Sequence, residues 1–427
     1  MNSQGPFGPG SLSFAPPAGM TLDVIAAPTP APLPDFPAAL ASALRHPLGA
    51  PPLRDLAWPG AQVCLVFTDA TRTCPDDVLA PALLAELHAA GAPDAHITLL
   101  CATGLHRAST LAEKTAKLGA DIVARYRIVD HDAQQDVVSL GQSEHGIPLT
   151  VNRLAAAADL LLATGVVEPH QYAGFSGGSK TVAVGVAGEP TIAYTHGPAM
   201  LDQAGVRLGN LHDNPFQAAV REAGRRAGLR FVLNVALTDD GQPWAVAAGA
   251  PDAVHDHLGA QAQRASGVTV TTPYDVIIAG VGFPKDQNFY QASRAATYVA
   301  LTARPALAPG GVIILPAPCP EGIGQGTGEQ RFAEIMRAGA DRPAHLLNEL
   351  RARGFPPGAQ RAYILAQVLE RHPVVVVGAL CPEEIAACHL TAFATIETAL
   401  VWAQTHLGRP LRVALVPHTL TTVLTVG

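Results

Sequence analysis

Chemistry is concentrated between Glu168 and His196, where the chain reads Glu168-Pro169-His170-Gln171-Tyr172-Ala173-Gly174-Phe175-Ser176-Gly177-Gly178-Ser179-Lys180 and reaches His196 sixteen residues later. Two imidazoles and a primary amine flank a turn of small residues. Consecutive glycines let backbone N–H groups turn toward an anion, the serines add hydroxyl donors, and a following helix would bring its positive end. The turn lacks the G-x-x-x-x-G-K-[ST] spacing of a nucleoside-triphosphate loop, and residues 175–180 also read as a surface turn with a solvated lysine. Of 28 basic residues only four are lysine: Lys114, Lys117, Lys180 and Lys285. An amine can shed its proton and react as a nucleophile where a guanidinium stays charged, so a lysine kept at 180 points to amine chemistry. Lys114 and Lys117 lie in the segment from Ser109 to Lys117 and read as the solvated face of an exposed helix.

The elements that must position these groups alternate between strand and helix. Apolar runs at 62–67, 96–101 and 159–167 read as buried strands, and each ends in polar residues: Asp69-Ala70-Thr71-Arg72, Thr103-Gly104-Leu105-His106-Arg107, and the stretch that begins at Glu168. Strand–helix alternation implies a parallel sheet covered on both faces, and open sheets of this kind bind ligands beyond the carboxyl ends of their strands. Three loops could thus meet in one crevice. His106 and His170, each following a strand, could serve as an acid and a base on opposite faces of a stereocentre; taken singly, each reads equally well as a structural imidazole. His196 and His212 could be metal ligands, although two scattered imidazoles lack the fixed spacing of a metal motif.

At 427 residues two domains are expected. The sequence predicts an extended arm over 1–40, an N-terminal α/β cofactor-binding domain over 41–268, a C-terminal α/β domain over 269–405, and a strand and tail over 406–427 that can return to the N-terminal domain. The fold class is α/β, with mainly parallel sheets in both domains and the active site in the cleft between them. A net charge of −7 with only 15% charged residues excludes a broad basic field, and with it nucleic acid as a partner. Six cysteines with no C-x-x-C pair argue for neither a disulfide framework nor a thiolate zinc site. No apolar stretch reaches the length of a membrane span and no leader-like segment opens the chain, which favours the cytoplasm.

Taken together, Asp69-Ala70-Thr71-Arg72, Thr103-Gly104-Leu105-His106-Arg107, Glu168-Pro169-His170 with the following 173–180 turn, His196, and Pro284-Lys285-Asp286-Gln287-Asn288-Phe289-Tyr290-Gln291 resemble the nickel-dependent lactate racemase family. The similarity runs from about residue 60 to 400. It implies a racemase or epimerase inverting C2 of a 2-hydroxy acid, with a nickel-pincer nucleotide (pyridinium-3-thioamide-5-thiocarboxylic acid mononucleotide) tethered to Lys180 and its nickel bound by His196. Sulfur, carbon and imidazole donors suit square-planar nickel(II). Asp69, Thr71, Phe175, Ser176, Gly177 and Gly178 would hold the cofactor, with the phosphate on the Ser176–Gly178 turn. His106 and His170 would be the paired acid and base: one takes the hydroxyl proton while the C2 hydride passes to the cofactor, and return from the other face inverts the centre.

Arg72 would clamp the substrate carboxylate, and Lys285, Tyr290, Gln291 and Arg294 would complete the substrate wall. Arg294 stands where relatives carry a lysine, and Gln360-Arg361-Ala362-Tyr363 stands where lactate racemases tend to have a tryptophan. Such a wall, with an extra guanidinium, suits a larger or doubly acidic 2-hydroxy acid. The resemblance also implies cofactor-biosynthesis proteins as partners and is compatible with a homodimer. Two rival readings are a nicotinamide-type 2-hydroxy-acid oxidoreductase, for which the G-x-G-x-x-G fingerprint is missing, and a non-catalytic cofactor-binding homologue.

Overall fold

A computed structural model describes residues 3–339, 343–356 and 358–427. The chain divides into two compact units. One comprises Thr29–Val206 and Leu211–Arg264; the other comprises the segment up to Pro28, Arg207–Asn210 and Ala265–Gly427.

The first unit is built on a six-stranded sheet in the order Pro243–Gly249, Leu229–Leu237, Leu160–Val166, Val63–Thr68, Ile97–Ala102, Arg127–Asp130. All neighbours are parallel except the first pair. Val63–Thr68 and Leu160–Val166 are buried at every position, as unbroken apolar runs must be when helices cover both faces. Cores form on each side of the sheet, one around Leu65, Phe67, Leu83 and Phe231, the other around Val66, Leu161, Phe175 and Val232. Because Val63–Thr68 pairs in parallel with Ile97–Ala102 on one side and Leu160–Val166 on the other, the loops that leave all three emerge together at the carboxyl end. Helix Pro215–Arg226 begins where Asn214 accepts from the N–H groups of Phe216 and Gln217, and ends with Arg225 and Arg226 at its negative pole.

The second unit carries an all-parallel sheet in the order Thr391–Phe393, Val374–Val377, Leu307–Pro316, Tyr274–Ala279, Arg412–Val416, Thr21–Val24. Two expectations change here. The arm expected over 1–40 is structured: Ser3–Phe7 and Gly10–Phe14 form a hairpin, and Thr21–Val24 is the edge strand, with Leu22 opposite Val413. Gly/Pro-rich composition concealed this because an edge strand needs only one row of ladder bonds. The C-terminal strand, expected to be able to return to the N-terminal domain, lies inside this second sheet. Val413, Ala414, Leu415 and Val416 are all buried, and Tyr274–Ala279 and Thr21–Val24 flank that run. Val423–Val426 likewise pairs with Gly267–Val270 of the same unit. The fold class stands as read: α/β with mainly parallel sheets.

Candidate active site

At the carboxyl end of the first sheet, the loop after Val63–Thr68 supplies Asp69, which is only 5% exposed. Its Oδ2 meets His106 Nδ1 at 2.6 Å and its Oδ1 accepts from Thr71 Oγ1 at 2.8 Å. Burial opposes ionisation of this carboxyl, but the hydrogen bonds from His106 and Thr71 and the charge of Arg72 outweigh it and hold the group below its ordinary range. Asp69 therefore acts on an imidazole, a role the sequence did not disclose. The signal was available, since both residues end strands that prove to be sheet neighbours. The His106 side chain is half exposed, so with Nδ1 held by a carboxylate its Nε2 is the atom available to other groups.

His170 is held in the opposite sense. It lies in a short ladder with Gly174, and its Nδ1 accepts from the backbone N–H groups of Tyr172 and Ala173, each at 3.2 Å. Its ring stands edge-on to Tyr172 at 5.5 Å and tilted to Phe216 at 6.4 Å. His196 meets the same two rings edge-on, at 5.6 and 5.3 Å. Tyr172 and Phe216, neither of them flagged from sequence, thus bring the two histidines together.

His196 caps the end of helix Glu189–Thr195. The Thr195 hydroxyl donates to the Thr191 carbonyl, so its oxygen can accept from His196 Nδ1 at 3.0 Å, and the Ile192 carbonyl lies 3.2 Å from the same nitrogen. Two acceptors at Nδ1 fix the tautomer with the proton there and the lone pair at Nε2. Protein surrounds the ring although the residue keeps an exposed edge. That burial, with the nearby Lys180 ammonium, lowers its pKa to about 4. A neutral imidazole with a fixed lone pair is what a metal requires.

Lys180 opens helix Lys180–Ala183 on a tightly constrained turn. Gly177 and Gly178 have φ of 89° and 56°. A Cβ at Gly177 would come within 2.5 Å of Val167, and one at Gly178 within 2.8 Å of His255. The loop that carries His106 lies alongside, with the Gly104 N–H bonded to the Gly185 carbonyl at 2.8 Å.

The donors expected to cradle a phosphate at this turn are largely engaged inside the fold. The Ser176 hydroxyl donates to the Val166 carbonyl and accepts from the Glu168 N–H, the Ser176 N–H donates to the Glu168 carbonyl, and the Gly178 N–H donates to Asn234. These bonds hold the turn before Lys180 close to the sheet. Phe175, expected to contact the cofactor, is fully buried within the core. Both outcomes follow from the approach of this turn to the sheet, which glycine spacing alone does not reveal.

The lysines of the preceding helix are not solvated charges. Lys114 Nζ lies 2.5 Å from Asp130. Lys117 reaches a fully buried Asp76 at 2.8 Å and donates to the carbonyls of Cys74 at 2.6 Å and Arg72 at 3.2 Å. Asp76 also accepts from Thr68 Oγ1 at 2.5 Å and from Thr164. Three donors on a compact ammonium fit three convergent acceptors, which a planar guanidinium would not. The result pins the loop that bears Arg72, itself exposed.

His212 is exposed on the loop before helix Pro215–Arg226. Among the described residues no group of three or more His, Cys, Asp or Glu converges to hold a metal, and no helix is long and apolar enough to cross a membrane.

In the second unit Tyr290 and Gln291 lie on helix Phe289–Ala292, which Asn288 caps by accepting from the Gln291 N–H. Arg294 opens the next helix and lies against Tyr298, while Lys285 sits in the turn after Gly282. The Tyr290 ring stands edge-on to Phe332 at 5.4 Å and carries the Arg361 guanidinium at 4.9 Å.

Residues 7–209 match the family described as Lactate racemase N-terminal domain, and residues 269–424 match Lactate racemase C-terminal domain. The chain is similar to the lactate racemase of Lactiplantibacillus plantarum, at 33% identity over 88% of this chain and 87% of that protein. It is also similar to the lactate racemase of Thermoanaerobacterium thermosaccharolyticum, at 34% identity over 78% of each. The lactate racemase apoprotein structure from that organism superposes with a TM-score of 0.89 at 29% identity, covering 99% of this chain and 100% of the other. A Thermotoga maritima protein, at 19% identity and a TM-score of 0.65, shares the fold. The chain belongs to the lactate racemase family and is an isomerase.

Proposed function

We propose that this chain inverts C2 of a 2-hydroxy acid, with His106 and His170 handling protons, Arg72 holding the carboxylate next to C2, and Lys180 and His196 holding a nickel-pincer nucleotide. The observation that carries this reading is the opposite hydrogen bonding of the two proton-handling rings. His106 gives Nδ1 to an ionised Asp69, which leaves Nε2 as the atom that accepts a hydroxyl proton and lets the carboxylate stabilise the resulting imidazolium. His170 takes two backbone N–H groups at Nδ1, which puts the proton of its neutral ring on Nε2. For His170 to act as base on the other antipode, its proton must move to Nδ1 and the Tyr172 and Ala173 N–H groups must be released. The two antipodes are thus handled by unequal rings.

The remaining residues suit the cofactor. Lys180 supplies the primary amine that a thioamide bond requires, and its rigid turn limits where the amine can reach. His196, neutral at pH 7 with its lone pair at Nε2, is a competent imidazole donor to nickel(II). The bound group would supply the acceptor and donor for the C2 hydride. Arg72 offers the planar fork that a carboxylate accepts in bidentate fashion, and Lys117 fixes the backbone from which it projects.

Protein made alongside the cofactor's synthesis machinery is expected to carry stoichiometric nickel and a mass adduct on Lys180, and to interconvert the antipodes of a 2-hydroxy acid on chiral chromatography. Intact protein with neither adduct nor nickel under those conditions overturns the reading. Lys180→Arg should fold and melt as the parent does while acquiring no adduct.

A further inference from the structure

His131 follows strand Arg127–Asp130 at the edge of the first sheet, is 5% exposed, and takes no part in the chemistry proposed above. Its main chain grips the strand that leads to His106 on both sides of Ala102. The His131 N–H donates to the Cys101 carbonyl at 3.1 Å, and the His131 carbonyl accepts from Thr103 Oγ1 at 2.8 Å. Its ring reaches a different segment. Nε2–H donates to the carbonyl of Ala187, beyond helix Lys180–Ala183, at 2.9 Å, and Nδ1 accepts from the Asn152 amide at 3.0 Å. The Asn152 side chain is oriented for this because its Oδ1 accepts from the Leu154 N–H at 2.9 Å, and its own N–H donates to the Val186 carbonyl at 2.8 Å. An acceptor at one ring nitrogen and a donor at the other select a single neutral tautomer.

Residues 184–187 are bonded in turn to Lys180 and to the His106 loop. The Lys180 carbonyl accepts from the Val184 N–H at 3.0 Å, and the Gly104 N–H donates to the Gly185 carbonyl at 2.8 Å. A Cβ at Gly185 would lie 2.4 Å from the Thr181 carbonyl oxygen and 2.7 Å from the Ala102 Cβ, so the two segments meet where only glycine fits. We infer that His131 is a positioning residue for the inversion. It bonds the His106 loop with its main chain and the segment behind Lys180 with its ring, and so sets the separation between the proton-handling imidazole and the tethering amine. This rests on the proposed roles of His106 and Lys180. Proton transfer at His106 has to be aligned with the group that Lys180 holds, and a misplacement of about 1 Å costs on the order of 10²-fold in rate.

The test uses full-length protein purified from cells that make the cofactor, with lactate and malate as probes. His131→Leu removes both ring bonds, whereas His131→Gln keeps an N–H for the Ala187 carbonyl. In His131→Leu, kcat for inversion on chiral chromatography should fall about 10²-fold with KM little changed, while nickel content and the Lys180 adduct stay at the parent level. His131→Gln should keep about a tenth or more of the parent kcat. Native-state hydrogen exchange supplies a readout apart from activity. The Gly104 N–H should exchange about tenfold faster in His131→Leu relative to the amides of strand Val63–Thr68, which report global opening, and should be close to the parent in His131→Gln. Parent-like kcat in His131→Leu overturns the proposal, as does a fall in kcat without faster exchange at Gly104, or an equal fall in His131→Gln. Should His131→Leu not fold, Thr103→Val cuts only the bond to the His131 carbonyl and should show the same split between kcat and KM, with faster exchange at Gly104. If the parent inverts neither probe, the proposed reaction falls, and Gly104 decides the rest: faster exchange in the variants upholds the link between loop and helix, and unchanged exchange overturns it.

Discussion

Buried charge is handled differently in the two units. At the carboxyl end of the first sheet it is answered within the fold: Asp69 by His106, Thr71 and Arg72, and Asp76 by Lys117, Thr68 and Thr164. In the second unit Arg361 is buried against an aromatic face with no carboxylate partner among the described residues. Completed networks fix geometry before any ligand arrives, which acid–base chemistry requires. A guanidinium without such a partner keeps part of its desolvation cost in the folded state.

The sharpest way to break this comparison is at Asp69. Asn at that position keeps the shape but can offer Nδ2–H to His106 Nδ1, which favours the wrong tautomer. The expected loss in kcat for inversion is about 10³- to 10⁴-fold, as for other carboxylate-oriented imidazoles, with KM little changed. Measured antipode interconversion within tenfold of the parent would mean that Asp69 does not orient a proton acceptor.

Lys117→Met tests the second network. Removing one member of a buried pair strands the other, so unfolding stability is expected to fall by about 3 to 5 kcal/mol, measured as a shift in the urea midpoint at unchanged m-value. Since Lys117 also bonds the Arg72 carbonyl, the variant should raise KM for the hydroxy acid more than it lowers kcat. The double variant Lys117→Met with Asp76→Asn should recover part of the stability, because no bare carboxylate then remains buried.

How much of this was legible depends on whether the deciding contact is local. The strands ending at Thr68, Ala102 and Val166 announced themselves as apolar runs, and with them the loops bearing Asp69, His106 and His170. Lys180 stood out by residue type, because arginine had replaced lysine almost everywhere else. Long-range partners carried no such mark. Lys117 read as one more helix-surface charge because nothing in residues 109–117 shows that Asp76 lies within reach. Phe216 carries no chemistry of its own, so only the fold reveals that its ring joins His170 to His196. The close packing of the Ser176–Gly178 turn was also not legible. Glycines that permit an anion cradle also permit a close approach to the sheet, and spacing alone did not show that Gly177 and Gly178 make one. The strands before residue 25 were hidden because proline and glycine lower strand propensity while an edge position tolerates them.

A smaller, pH-dependent effect should accompany the completed networks. His131 is buried, bonding the Ala187 carbonyl through Nε2 and the Asn152 amide through Nδ1, and burial lowers its pKa from the ordinary value. The folded ring therefore takes up its proton at lower pH than the unfolded one, which titrates near ~6.5. Its contribution to stability is complete above about that pH and declines as pH falls below it. Denaturation midpoints between pH 7.5 and pH 5 should decline over this window, and less steeply in His131→Gln. An identical slope in the variant would assign the decline to other groups.

The smallest expected effect on stability is at Arg361, and it separates the two units most cleanly. Arg361→Met removes a buried charge that no carboxylate among the described residues partners, while an unbranched apolar chain can still cover the Tyr290 ring. Loss of the cation–π contact is worth about 0.5 to 2 kcal/mol, and relief of guanidinium desolvation acts in the opposite direction. The two should nearly cancel, so the variant is expected within about 1 kcal/mol of the parent, against the several lost in Lys117→Met. A loss at Arg361 as large as that at Lys117 would show that the guanidinium is answered inside the fold and that the two units do not differ in this respect. Near-neutral stability would show that the fold at this position is served as well by an apolar side chain, because the guanidinium's stacking on Tyr290 and its desolvation offset each other.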